Sequence, residues 1–167
     1  GLLPDGAVHT YTVSAQVSAV DAAADDLVCG DSPDTGGGVW NNLEQAVQSI
    51  GKGETVYVTT GVAFEKVGES KSVSYIKSSS DTKSVPIPNY FYKVVLRVKK
   101  DSSGAVTSAS TIAFWFENKE YTDKYYNHTT TVDQVEEWTG FDFFVNLPDS
   151  VETSAEKNSS WSTFQSF

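Results

Sequence analysis

Few side chains in this sequence can do chemistry. The chain carries two histidines, His9 and His128, one cysteine, Cys29, and one arginine, Arg97. A lone cysteine makes no intramolecular disulfide, and no Cys/His cluster has the spacing of a structural zinc site. No Lys, Arg or His flanks Cys29 to lower its pKa, so the thiol reads as a small buried hydrophobe before it reads as a nucleophile. Asp31 and Asp34 lie in a loop bearing Gly and Pro. Their carboxylates suit a hard cation such as Mg²⁺ or Ca²⁺, and the same residues are also ordinary turn formers. The aromatic runs Tyr90-Phe91-Tyr92, Phe114-Trp115-Phe116 and Phe141 to Phe144 are either stacking platforms for bases and sugars or core. Their coincidence with strand-like segments favours core. Lys93, Lys99 and Lys100 are candidate phosphate contacts, few in number and set among acidic competitors.

Elements must position these groups. Between Thr10 and Val20, Tyr11, Val13, Ala15, Val17 and Ala19 alternate as on a strand with one buried face. Asp21 to Gly38 reads as loop. Trp40, Leu43, Val47 and Ile50 recur at helical spacing, with Gly51 placed as the C-terminal cap. Thr55 to Thr60 is β-branched and aromatic between Gly53 and Gly61, which predicts a largely buried strand. Val62 to Ser84 is a long polar excursion with one weak strand at Val73 to Ile76. Two strong strands are predicted at Tyr90 to Lys99 and Thr111 to Glu117, joined through the turn formers Asp101-Ser102-Ser103-Gly104. Thr131-Val132-Asp133-Gln134 has the form of a capping box, opening a helix through Trp138 that Gly140 ends. Asn146-Leu147-Pro148 stops the next segment, and Ser150 to Phe167 is a polar tail with a late aromatic pair, Trp161 and Phe164. The pattern is α+β, and 167 residues suit one domain with a single sizeable core.

Four segments in order carry a resemblance: Gly37-Gly38-Val39-Trp40-Asn41-Asn42-Leu43-Glu44, Val56 to Gly61, Val85 to Leu96, and Thr139 to Pro148. Their order and spacing resemble the DNA/RNA non-specific endonucleases from Gly36 to Asp149, leaving residues 1–35 as a divergent N-terminal segment and 150–167 as the tail. The resemblance implies a central, mostly antiparallel sheet flanked by helices, with a ββα-metal motif for phosphodiester cleavage. In that family a histidine of an Asp-Arg-Gly-His motif activates water. An asparagine ahead of a Trp-x-x-Leu-Glu helix holds magnesium, and an arginine steadies the transition state. Glu44 matches the helix glutamate near the metal, so it is the first candidate for a catalytic and metal-binding role.

The departures concern the chemistry. No Asp-Arg-Gly-His motif occurs, and Gly36 stands where the magnesium-binding asparagine is expected. Asp31 and Asp34 lie where a displaced metal ligand would fall, and His9 is the sole histidine upstream of the helix, which makes it the candidate base. His128 lies downstream of every catalytic position in the family pattern. The opening Gly1-Leu2-Leu3-Pro4 is similar to the family's Gly-His-Leu-Leu-Pro without its histidine, as a deletion or a truncated start would leave it.

Charge narrows the functions further. A net charge of −10 sets a mean field that repels phosphate, which counts against a plain nucleic-acid binder. A bound divalent cation reverses the local sign in one cleft. The function that the resemblance implies is metal-dependent hydrolysis of a nucleic acid backbone, with Mg²⁺ or another divalent cation. The alternative is a catalytically degenerate member kept as a secreted binding or structural module. No stretch approaches the roughly 18 apolar residues of a membrane span, and no signal peptide is visible in the chain. Family resemblance implies a secreted, periplasmic or surface-associated protein.

Overall fold

In the computed structural model, which describes residues 38–51, 55–77 and 82–167, the apolar stripe of Trp40, Leu43 and Val47 winds into α1 (Val39–Gly51). Gly51 is the last helical residue. The predicted strand at Thr10 to Val20, the loop after it and Cys29 lie outside the described residues.

β-branched and aromatic residues build the centre of the sheet. The strands β4 (Tyr90–Lys100) and β5 (Val106–Glu117) pair antiparallel with Val95 opposite Ile112. β5 begins earlier than the apolar pattern predicts, because Ser108 and Ala109 pair with Lys99 and Val98 although neither carries a strong strand signal. Asp101 closes the hairpin: its Oδ1 accepts from the backbone N–H of Ser103 at 2.8 Å and of Ala105 at 3.0 Å. Gly104 takes the left-handed conformation there, at φ 87°.

On the other side of β4 lies β1 (Val56–Ala63), and beyond β5 lies β6 (Thr129–Thr130), giving the order β1-β4-β5-β6 with antiparallel pairing throughout. β1 forms where predicted but is not largely buried. Tyr57, Val58 and Val62 are 43%, 45% and 49% exposed, because the strand lies at the sheet edge among the described residues. The polar excursion contributes β2 (Ser74–Ile76), which pairs with β3 (Val85–Ile87) as a separate ribbon.

Alternation divides the sheet into two buried faces. On one, Val95, Ile112, Phe114 and Phe116 pack with Trp40, Leu43 and Val47 of α1 and with Trp161 and Phe164 of α4 (Trp161–Gln165). On the other, Tyr92, Val94 and Ala113 pack with Val132 and Val135 of α2 (Val132–Thr139) and with Phe143. Thr131 caps α2 by accepting from Gln134 N at 3.1 Å, and Gly140 ends it at φ 71°. The capping box is half formed, since the Gln134 side chain turns to Glu137.

The tail is more than polar cover. Its first part folds as α3 (Asp149–Ala155), whose Ala155 carbonyl accepts from the buried Thr111 hydroxyl at 2.7 Å. The Asn158 side chain then donates to the Thr111 carbonyl at 2.8 Å, before Trp161 and Phe164 enter the first face.

One close approach gives a prediction. Gly61 pairs across the ladder with Tyr92, whose ring lies over it: a Cβ at Gly61 would sit 2.3 Å from the ring carbon Cζ. Tyr92 cannot readily yield, because it stacks on Trp115 at 5.8 Å and meets Phe143 edge-on at 6.0 Å. Gly61→Val is expected to lower the unfolding free energy by about 1–3 kcal/mol, the usual range for overpacking. Urea unfolding measures it, and a variant as stable as the parent would contradict the packing described.

Candidate functional site

The second helical turn of α1 carries Glu44 four residues beyond Trp40, so the two side chains share a face. The indole Nε1 of Trp40 donates to Glu44 Oε1 at 3.0 Å. The ammonium of Lys93 stands 3.6 Å from the same oxygen, donates to Thr60 Oγ1 at 2.7 Å and lies 4.7 Å from the centre of the Trp40 ring. Lys93 is thus fastened from the helix by Glu44 and from the edge strand by Thr60, its cross-strand neighbour.

Burial divides the pair. The Lys93 side chain is 6% exposed while that of Glu44 is 52% exposed. Desolvation pulls the Lys93 ammonium below the ordinary lysine range, and the Glu44 charge opposes that shift. A buried ammonium is costly unless paired. Lys93 therefore fixes the carboxylate above it and is not a surface contact for phosphate. The Lys99 ammonium lies 4.3 Å from the centre of the Phe167 ring.

Arg97 lies four residues further along β4, roughly 13 Å away at strand rise. It is buried and donates from Nη1 to the Phe164 and Gln165 carbonyls. His128 stands 2.8 Å from Asp123 Oδ1, against the rings of Phe116 and Tyr121. Of the predicted site residues, Glu44 is described, while His9, Asp31, Asp34 and the Gly36 position lie outside the described residues. Lys93 and Trp40 were not predicted to act with Glu44. The available signal was a lysine and an arginine on one face of the otherwise apolar run Tyr90 to Val98, where buried charge implies a partner.

A second polar group lies on the opposite face of the sheet. Asp133 and Glu136 of α2 and Glu156, just past α3, each bring a carboxylate oxygen within 4.8 Å of the others. Burial, followed by the charges of Glu136, Glu152, Asp133 and Asp142, pushes the Glu156 carboxyl up to about 8. Among the described residues, no helix is long and apolar enough to cross a membrane.

Residues 32–150 match the sequence profile of the DNA/RNA non-specific endonucleases. The chain belongs to that family. Among solved structures, this endonuclease-family chain resembles one described as the EndoG/EndoGI complex and the mechanism of EndoG inhibition, with a TM-score of 0.46 and 21% identity. The likeness covers 68% of this chain and 46% of that one, so the chain spans less than half the length of the structure it matches. No curated protein matches it.

Family members are typically dependent on a divalent metal. Around Glu44 the described residues supply one half-exposed carboxylate, and both of its contacts fall on Oε1. That donor set fits an outer-shell role toward a hydrated cation, since Mg²⁺ keeps several of its waters and is commonly held through one or two carboxylates.

Proposed function

We propose that this chain is a metal-dependent nuclease domain acting on the nucleic acid backbone, with Glu44 orienting the water shell of a divalent cation, Mg²⁺ or one like it. The observation that carries the reading is the fixing of an exposed carboxylate by Trp40 and the buried Lys93. A group held by an indole N–H donor and paired with a buried ammonium stays in one place without losing access to solvent. When bound, such a cation would take up charge on phosphate oxygens. Asp31 and Asp34 are the proposed direct ligands, and His9 is the proposed base that takes the proton from water. Backbone contact without base readout suits a site whose one cation reverses the sign of the field locally in a chain of net charge −10. Export to the periplasm, cell surface or medium belongs to the same reading.

The test is nicking of supercoiled plasmid by the purified chain with Mg²⁺ or Mn²⁺, beside an EDTA control. Cleavage is expected to require the metal and to fall about 10–100-fold in Glu44→Ala, the usual loss for an outer-shell ligand. Glu44→Gln, which keeps the side-chain shape above Lys93, separates the lost charge from any loss of folding. His9→Ala is expected to abolish the residual rate. Metal-independent cleavage, or full activity in both Glu44 variants, would overturn the assignment. No cleavage at all by the folded chain would transfer it to the binding-module reading.

A further inference from the structure

We propose that Asp133, Glu136 and Glu156 form a site for a divalent cation of the calcium class, which ties the start of α2 to the end of α3. The site is separate from Glu44: α2 packs on the sheet face opposite α1, and the inference does not depend on nuclease activity.

The geometry begins with three carboxylate oxygens, one from each residue, all within 4.8 Å of one another. Acidic groups on a surface often gather without a ligand, so proximity alone decides nothing. Glu156 is different in kind. The residue is 6% exposed, and its Oε1 is sealed from solvent without a hydrogen-bond donor. A carboxylate oxygen so placed costs free energy until a proton or a cation meets it. Glu152 Oε1 is likewise buried and without a donor, which adds a further acidic group beside the site. Among the described residues no lysine or arginine forms an ion pair with any of the three.

The neighbouring contacts place the carboxylates. Glu136 Oε1 accepts from Phe143 N at 2.7 Å, and the Glu156 carbonyl accepts from Val132 N at 3.0 Å, so α2, the Phe143 segment and the end of α3 converge here. Asp133 is exposed, which gives a cation a way in and room for water ligands. The donor set is all oxygen with no His or Cys, which selects a hard cation over zinc or copper. Ca²⁺ accepts irregular shells of six to eight oxygens completed by water, whereas Mg²⁺ demands a near-ideal octahedron.

The experiment titrates the EDTA-treated full chain with CaCl₂ and, separately, MgCl₂, followed by calorimetry and by thermal unfolding. Ca²⁺ is expected to bind, and to raise the melting temperature by about 5–10 °C at about 100 times its Kd. Glu156→Gln, close in shape, is expected to weaken Ca²⁺ binding at least about tenfold. Asp133→Asn, at an exposed position, is expected to do the same, and keeps the test open should Glu156→Gln fail to fold. The loss of Ca²⁺ binding caused by Asp133→Asn is expected to be the same in a Glu44→Gln background, which separates this site from the proposed nuclease centre. Neither heat nor a thermal shift with Ca²⁺ up to about 10 mM, beyond the weakest protein calcium sites, would overturn the proposal. So would unchanged affinity in the Asp133 or Glu156 variant.

Discussion

Phe114→Ala is expected to lower the unfolding free energy by about 3–5 kcal/mol, the usual cost of truncating a large buried ring. Phe114 is fully buried at the centre of β5, with Lys93 as its cross-strand neighbour. Its ring meets Trp161 edge-on at 5.7 Å and Tyr125 at 6.2 Å. The same cluster seats Trp40 and Leu43 of α1, so the void would open beneath the helix that carries Glu44. The rigid rings lining it cannot collapse inward as aliphatic chains do, which argues for the upper part of the range. Phe114→Leu keeps most of the volume and should lose less. Urea unfolding with an unchanged slope measures both, and a loss below about 1 kcal/mol for Phe114→Ala would mean that this cluster is not the core. Because Glu44 is placed by contacts within one helix and across one strand, activity measured well below the melting point should fall less in Phe114→Ala than in Glu44→Ala.

The elements that the residues announced most clearly are those whose signal is local. The 3.6-residue stripe of α1, the β-branched and aromatic run of β4, and the cap pair Thr131 and Gly140 all form as expected, because each is set by chain geometry and one apolar face. What depended on distant partners was harder to read. β1 has the composition of a buried strand, yet its exposure depends on its place at the sheet edge. The tail looked polar because most of its residues are, but burial there rests on Trp161 and Phe164 and on hydrogen bonds to Thr111, a residue more than forty positions away. The site follows the same rule. Glu44 was singled out through its match to the family's helix glutamate, whereas its contact with Lys93, and that of Lys93 with Thr60, needed the register of two strands. The acidic group of Asp133, Glu136 and Glu156 was not legible, since no short spacing joins α2 to the end of α3.

Arg97→Ala is expected to cost about 2–4 kcal/mol and to loosen the C-terminal helix. This is the chain's single arginine, in a family where resemblance implies a transition-state arginine, so its location decides between two kinds of loss. The guanidinium is buried and donates to the carbonyls of Phe164 and Gln165, in the last turn of α4, where the helix leaves carbonyls without internal partners. It also lies 5.5 Å and 5.6 Å from the ring centres of Phe164 and Phe167. Hydrogen bonds from a charged donor contribute about 1.5–3 kcal/mol, and a cation at a helix C-terminus adds about 0.3–1 kcal/mol. Lysine retains the charge but lacks the flat guanidinium that lies against the Phe164 and Phe167 rings, so Arg97→Lys should recover only part of the stability. Thermal unfolding, with limited proteolysis followed at the C-terminus, measures both variants. The functional prediction separates the roles: below its melting temperature, Arg97→Lys should nick plasmid at close to the parent rate, because α4 and not the phosphate is what the guanidinium holds. A variant that melts like the parent yet has lost cleavage would instead place Arg97 in the reaction, and would require the end of α4 to move aside when nucleic acid binds.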